Sequence, residues 1–308
     1  MTDDVVIALD VGGTVVKCAL VGPDGAVRHT ERHPTGRDRG ADAVVATILD
    51  IADGLATTAG GLGLRPRAAG LVVPGVVDEA TGTAVWAANL GFRDVPLKAL
   101  LEKQLGLPAT VGHDVRAGGI AEARLGAGRE YRYVFVLPIG TGIAAALVVD
   151  GTAYAGAHGA AGEIGHIVVR PGGPLCGCGQ HGCLESVASA AAVARRYAER
   201  VGTATEGADR VAALAAAGDP DAAAVWQETV DALADGLLTG LAMFDPEVVV
   251  IGGGLAEAGD ALLVPLRTAL RARLTFHREP VLRKAALGDE AGCLGAALLA
   301  LDSLGERA

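Results

Sequence analysis

Residues 4–10, Asp-Val-Val-Ile-Ala-Leu-Asp, form a nearly unbroken apolar run closed by an acid, the pattern of a strand buried on both faces. Gly12-Gly13-Thr14 follows as a turn. Residues 15–21 read as a second strand, turned at Pro23-Asp24-Gly25 into a third that ends near residue 33. Val44, Val45, Ile48, Leu49 and Ile51 recur at helical spacing and predict a helix over 41–59. A strand over 68–73 stops at Pro74-Gly75. A helix near 96–105 precedes a short strand at 109–112, which delivers His113 and Asp114 at its carboxyl end.

The pattern then restarts. Residues 132–138 predict a strand, Gly140-Thr141-Gly142 a turn, and 143–149 a second strand ending at Asp150-Gly151. Helices are expected from about 185 to 243. A buried strand at 248–251 runs into Gly252-Gly253-Gly254, with helices at 260–272 and 290–303 after it. The last carries the small contact residues Gly292, Gly295 and Ala296. Two halves that each open strand, Gly-Thr turn, strand imply a duplicated α/β fold with a cleft between its domains. The expected division is 1–113 plus 290–308 against 114–289.

Composition narrows the class. Hydrophobic residues make up 51% of the 308 positions, which excludes a disordered chain, and 45 glycines suit a tightly turned α/β protein. The net charge of −10, with no basic stripe, argues against a nucleic-acid partner. The opening Met1-Thr2-Asp3-Asp4 has no charged leader pattern, and no apolar run reads as a membrane span. A cytoplasmic protein without membrane partners is expected.

The densest chemistry lies between residues 163 and 185. Cys176, Cys178 and Cys183 fall within eight residues, ten positions after His166. Three thiolates and an imidazole fill a tetrahedral Zn²⁺ shell and leave no open position, so this ion would hold structure rather than activate water. Glu163 and Glu185 flank the segment and would be held in place by it. His181 is a rival ligand from within the Cys178–Cys183 loop.

Three glycine turns each follow an apolar strand. Asp10-Val11-Gly12-Gly13-Thr14 and Gly140-Thr141-Gly142 present backbone amides where no Cβ blocks a phosphate, and Gly253 and Gly254 leave room for a flat ring. None matches the P-loop or the dinucleotide fingerprint. Two phosphate turns point to a nucleoside triphosphate.

Together these residues resemble the ROK family of sugar kinases, within the actin/hexokinase-like (ribonuclease H-like) superfamily. The resemblance rests on Asp10 to Thr14, Pro74-Gly75-Val76-Val77-Asp78, Asn89-Leu90, Asp114, Gly140-Thr141-Gly142, Gly162-Glu163-Ile164-Gly165-His166, the three cysteines with Glu185, and Ile251-Gly252-Gly253-Gly254. It implies a two-domain kinase that uses MgATP to phosphorylate the 6-hydroxyl of a hexose. Asp114 is then the general base. Gly75, Asn89, His113, Glu163, His166 and Glu185 bind the sugar, with His166 also a zinc ligand. Asp10, Gly12, Gly13, Thr14, Lys17, Gly140, Thr141, Gly142, Gly253 and Gly254 serve the nucleotide and Mg²⁺. A homodimer is the expected assembly.

The chain departs from the family pattern at three places. Val15 replaces a lysine, and Lys17 lies on the same strand face two residues on. Ala144 and Ala145 replace glycines after the Gly-Thr-Gly turn. His113 replaces the asparagine ahead of the catalytic acid, and a neutral imidazole offers its donor and acceptor at other points than an amide does. Because one relative phosphorylates kanosamine, 3-amino-3-deoxyglucose, that amino sugar is the expected substrate and glucose the alternative. Kinases of N-acetylmannosamine, fructose and allose share the motifs. A non-catalytic sensor or a transcriptional repressor of the same family is weighed against by Asp114, the two Gly-Thr turns and a first strand that opens by residue 5.

Overall fold

The computed structural model describes residues 3–305, so the outermost residues of the expected first domain, and Met1 and Thr2 of the leader reading, lie outside the described residues. The first stretch of chain runs β1 (Asp4–Val11), β2 (Val15–Val21), β3 (Val27–Pro34), α1 (Ala41–Gly61), β4 (Arg65–Val73), β5 (Val76–Asp78), β6 (Thr83–Ala87) and β7 (Phe92–Val95). It continues through α2 (Leu97–Leu105), β8 (Ala109–His113) and α3 (Asp114–Arg124). The second stretch holds β9 (Tyr133–Pro138), β10 (Ala146–Val149), β11 (Thr152–Ala153), α4 (Leu184–Ala188), α5 (Ala190–Val201), α6 (Gly207–Ala216) and α7 (Pro220–Phe244). It closes with β12 (Val248–Gly252), α8 (Asp260–Arg271), β13 (Val281–Lys284) and α9 (Ala291–Ser303).

The two large sheets share one plan. The first has the order β3-β2-β1-β4-β8 and the second β11-β10-β9-β12-β13. In each, the opening strand (β1 or β9) pairs antiparallel with the strand after it and parallel with a later one. This is the duplication that the two strand–turn–strand openings imply. Strands β5, β6 and β7 form a separate antiparallel sheet between β4 and α2 that the periodicity did not predict; each has only three to five residues.

Compactness divides the chain into one unit of Met1–Arg124, Ala153–Ala160 and Asp289–Ala308 and another of Leu125–Thr152 and Ala161–Gly288. The expected division ended the first part at residue 113. Helix α3 instead belongs with the first unit, because it packs on α9. A Cβ on Gly295 would meet the Ala117 carbonyl oxygen at 2.2 Å, and Arg124 makes two bonds to the Asp302 carboxylate, at 2.8 and 2.7 Å.

Alternation along β1 builds the first unit's core. Val5, Ile7, Leu9 and Val11 share a cluster with Val44, Ile48 and Leu55 of α1, while Val6 and Ala8 join Ala296, Ala297 and Ala300 of α9. The α9 side is lined by small residues so that helix and sheet close up: a Cβ on Gly70 would lie 1.9 Å from the Ala296 carbonyl oxygen. Helix α1 corrects one expectation, since by length and composition it is apolar enough to cross a membrane. In the fold one face of it packs on the core, with Val44, Ile48, Ile51 and Leu55 buried and Asp42, Asp50 and Asp53 exposed.

In the second unit Phe135, Leu137, Val249 and Ile251 pack against Leu233, Leu237 and Leu241 of α7. Asp219 starts that helix by accepting the Ala222 N–H at 2.8 Å, with Pro220 in its first turn. The strand expected over 143–149 begins only at Ala146. Ahead of it, Ile143 donates its N–H to Glu185 and Ala145 to the Gly162 carbonyl, so these residues serve the site and not the ladder.

Candidate active site

In the first unit the functional side chains gather at the carboxyl ends of β1 and β8. Asp10 lies next to last in β1, in register with Lys17 of β2. Its carboxylate is 3.6 Å from the Lys17 Nζ and only 13% accessible. Burial pushes its pKa up to about 6, against the pull of Lys17 and with a further push from Asp114. Its closeness to α9 explains Gly292, where a Cβ would stand 2.5 Å from Asp10 Oδ2. Lys17 also donates to the Asp289 carboxylate at 2.5 Å and to its carbonyl at 3.1 Å. Burial works against the Lys17 ammonium, but these partners outweigh it and hold its pKa above the ordinary value.

The turn after Asp10 is closed by the Gly12 N–H on the Val15 carbonyl, at 3.0 Å. Thr35, fully buried and not singled out by the sequence, ties it down from outside. Its hydroxyl donates to the Gly12 carbonyl at 2.7 Å and its N–H to that of Thr14 at 2.9 Å. Asn89 stands against the same turn, its Cβ 3.8 Å from where a Cβ on Gly13 would be. Gly75 follows β4 at φ +97°, and a Cβ there would strike the Trp86 carbonyl oxygen at 2.2 Å, so glycine is required.

Asp114 opens α3, accepting the N–H of Val115 at 2.7 Å, and keeps about 30% of its side chain accessible. Burial raises its pKa above the usual carboxylate range, although the Val115 N–H and the charges of Arg116 and Lys17 pull it back. A carboxyl so placed can accept a proton from a hydroxyl at the head of the helix. His113 is a buried side chain; its Nδ1 accepts the Arg116 N–H at 3.4 Å and lies 3.5 Å from Asp114 Oδ1. It therefore caps α3, a role the sequence did not disclose. Arg116 and Glu79 were also missed: Arg116 is buried and donates to Glu79 Oε1 from Nε at 3.0 Å and from Nη2 at 2.8 Å.

The second unit holds the thiol cluster. The ligand atoms of His166, Cys176, Cys178 and Cys183 all lie within 4.8 Å of one another, and all three cysteines are free thiols. Cys176 Sγ is 3.6 Å from His166 Nδ1, and Cys178 Sγ is 3.7 Å from Cys183 Sγ. Zinc bond lengths require tetrahedral edges of about 3.5 Å for S···N and about 3.8 Å for S···S, so this donor set fits Zn²⁺. His181 is outside it, with Nδ1 on the Gly173 carbonyl at 3.1 Å.

The acids around this cluster are held by close backbone contacts. His166 turns Nε2 toward Glu163, 3.9 Å from its carboxylate, so the ring's two nitrogens face different partners. Gly162 and Gly165 let the Glu163 segment lie on residues 143–145: a Cβ on either would come within 2.0 and 2.1 Å of the Ala145 and Ile143 carbonyl oxygens. Glu185, in the first turn of α4, accepts the Ile143 N–H at 3.0 Å. Its other oxygen is 4.0 Å from Cys176 Sγ.

The turn Gly140-Thr141-Gly142 is partly to fully exposed and is closed by the Gly140 N–H on the Gly142 carbonyl at 3.0 Å. Gly253, at φ +74°, passes so near Ile139 that a Cβ would lie 2.5 Å from its carbonyl oxygen, and Gly254 after it is exposed. Each unit thus has one partly to fully exposed Gly-Thr turn after its opening strand and one set of fixed polar side chains.

Comparison with known proteins agrees with this arrangement. The ROK family's sequence pattern matches residues 6–303. The glucokinase of Thermotoga maritima is 32% identical over 97% of this chain and 98% of its own length. A ROK hexokinase structure from Thermus thermophilus superposes with a TM-score of 0.87 at 33% identity, covering 98% of this chain and 99% of that one. A ROK family glucokinase from Streptomyces griseus, solved with glucose and AMPPNP, gives a TM-score of 0.82 at 30% identity over 97% and 99% of the two chains.

Proposed function

The chain belongs to the ROK family, and on that premise we propose that it transfers the γ-phosphoryl group of ATP to the 6-hydroxyl of a hexose, with Asp114 as general base. That it is a sugar kinase follows from relatives matched over nearly the whole length of both chains. The observation that carries the base assignment is the Asp114 carboxyl: accessible, at the head of a helix, and with a pKa raised toward proton acceptance.

The hexose O6 attacks the γ-phosphorus. The bond from that phosphorus to the β,γ-bridging oxygen breaks with its electron pair on ADP, and the O6 proton passes to Asp114. Asn89, Gly75, Glu163, His166 and Glu185 are assigned to the sugar, and the turns at Gly12 to Thr14, Gly140 to Gly142 and Gly253-Gly254 to the nucleotide. Lys17, already drawn to two carboxylates, is assigned to the phosphates. Asp10 fits Mg²⁺, because a desolvated carboxylate beside a second acid is the oxygen donor that a divalent cation relieves. That ion would offset phosphate charge when bound. Zinc on His166, Cys176, Cys178 and Cys183 would supply rigidity alone.

Glucose is the hexose placed first. It is the sugar in the Streptomyces griseus complex, and His113, the residue that favours an amino sugar, is buried with Nδ1 used to cap α3. Kanosamine is the second reading, carried by an imidazole directly ahead of the base. A homodimer belongs to the same proposal, supported by apolar side chains exposed on the second unit, Met243, Val264 and Phe276 among them.

The test is ADP release from MgATP with glucose, kanosamine, glucosamine and N-acetylmannosamine in parallel. Phosphorus–proton NMR of the product locates the ester. Turnover of glucose to the 6-phosphate is expected, and Asp114→Asn should lower kcat by about 10²–10⁴-fold. A strong preference for kanosamine would put the second reading first. No turnover of any of these sugars would overturn the proposal.

A further inference from the structure

Arg116 is a cation with only 3% of its side chain accessible, two residues after the base, and no part of the reaction as written uses it. Its side-chain bonds go to groups other than the Asp114 carboxyl. Nε and Nη2 donate to Glu79 Oε1 at 3.0 and 2.8 Å, and Nη1 donates to the Gly159 carbonyl at 2.8 Å. The same Glu79 oxygen accepts the backbone N–H of His113 at 3.3 Å, and His113 Nδ1 in turn accepts the Arg116 N–H. The last residue of β8, the first turn of α3, the residue after β5 and the loop at Gly159 are thereby joined through one guanidinium. Gly159 is itself seated on β5, where a Cβ would stand 2.8 Å from the Val77 carbonyl oxygen.

We propose that Arg116 is a positioning residue for this reaction: clamped by Glu79 and Gly159, it fixes the helix start that carries Asp114 and sets the electrostatic field at that carboxylate. The inference rests on the assignment of Asp114 as base. A planar fork suits the task, since it bonds a carboxylate and a carbonyl at once, which an ammonium does less well. The titratable and charged groups around Asp114 are Arg116 on its own helix, Asp10 on β1, Lys17 on β2, His113 on β8 and Glu79 after β5, with Asp289 ahead of α9 paired to Lys17. Arg116 is the first charge pulling the Asp114 pKa down against burial. Removing it raises the proton affinity of the base, and neutralising Glu79 uncovers the guanidinium and lowers it.

The experiment is the pH profile of kcat/KM for the sugar in Arg116→Gln, Arg116→Lys, Glu79→Gln and wild type. Arg116→Gln should lower kcat by about 10²-fold, as small misplacements of a reacting group do, with KM for ATP little changed and the acid limb moved to higher pH. Arg116→Lys should keep the limb near its wild-type position and recover part of kcat. Glu79→Gln should move the limb the opposite way. An unmoved limb in Arg116→Gln, or equal loss in the lysine variant, would overturn the proposal and reduce Arg116 to a packing role. If Arg116→Gln does not fold, the opposite displacement in Glu79→Gln decides. Full activity in Asp114→Asn would remove the base itself, a failure distinct from an unmoved limb.

Discussion

The two units hold their acids by different means. In the first, Asp10 and Asp114 stand near each other, desolvated and restrained by counter-charges, and both pKa values are raised. In the second, Glu185 and Glu163 stand against close backbone contacts and a thiol cluster that fits zinc, and among the described residues neither forms an ion pair with a lysine or arginine. The first arrangement tunes proton affinity; the second fixes position. In the proposed function a base requires the former and a hydroxyl ligand the latter, so the contrast matches the roles proposed for these acids.

The sharpest break of that contrast is at the cluster. Cys183→Ser should abolish stoichiometric zinc by elemental analysis, lower Tm and remove sugar-dependent turnover, since closed zinc sites in small modules contribute about 10 kcal/mol or more. Full zinc retention in this variant would mean that the four groups are not the ligands. Next in size, Gly142→Ala places a methyl 2.6 Å from Glu185 Oε2 without demanding a special φ. It should cost about 1–3 kcal/mol of sugar binding, read as a higher KM for glucose, while an unchanged KM would free Glu185 from the sugar role.

In the first unit the corresponding break is electrostatic. The folded-state pKa of Asp10 is raised from 3.8 to about 6, so its contribution to stability is complete below the unfolded value and is lost as pH rises through about 6. Wild type should therefore lose about 2–3 kcal/mol relative to Asp10→Asn between pH 4 and pH 7, measured by denaturant unfolding without Mg²⁺. Parallel profiles would show that Asp10 is not desolvated. The smallest effect is expected of Lys17→Met, with KM for ATP raised about tenfold through loss of one charged contact. A lower Tm with unchanged KM would make Lys17 only a tie to Asp289.

Much of this was legible before any coordinates. Apolar runs beside glycine turns located β1, β2, β9 and β12, because a strand buried on both faces must be continuously apolar. The thiol spacing named the cluster, since its ligands lie close in sequence. Short strands were not legible: β5, β6, β7 and β13 span three to five residues and alternate too briefly to stand out. Arg116 and Glu79 were equally silent, 37 residues apart and joined only by folding.

The sequence alone determined the two strand–turn–strand openings, the glycine turns and the thiol cluster, because each is written in local spacing or in a motif of adjacent residues. Tertiary structure decided where α3 belongs, which glycines are obligatory and what His113 and Arg116 bond to. Those outcomes depend on how closely separate segments approach: a Cβ at Gly295, Gly142 or Gly292 would stand 2.2, 2.6 or 2.5 Å from its nearest neighbour, inside any ordinary contact in a close-packed interior.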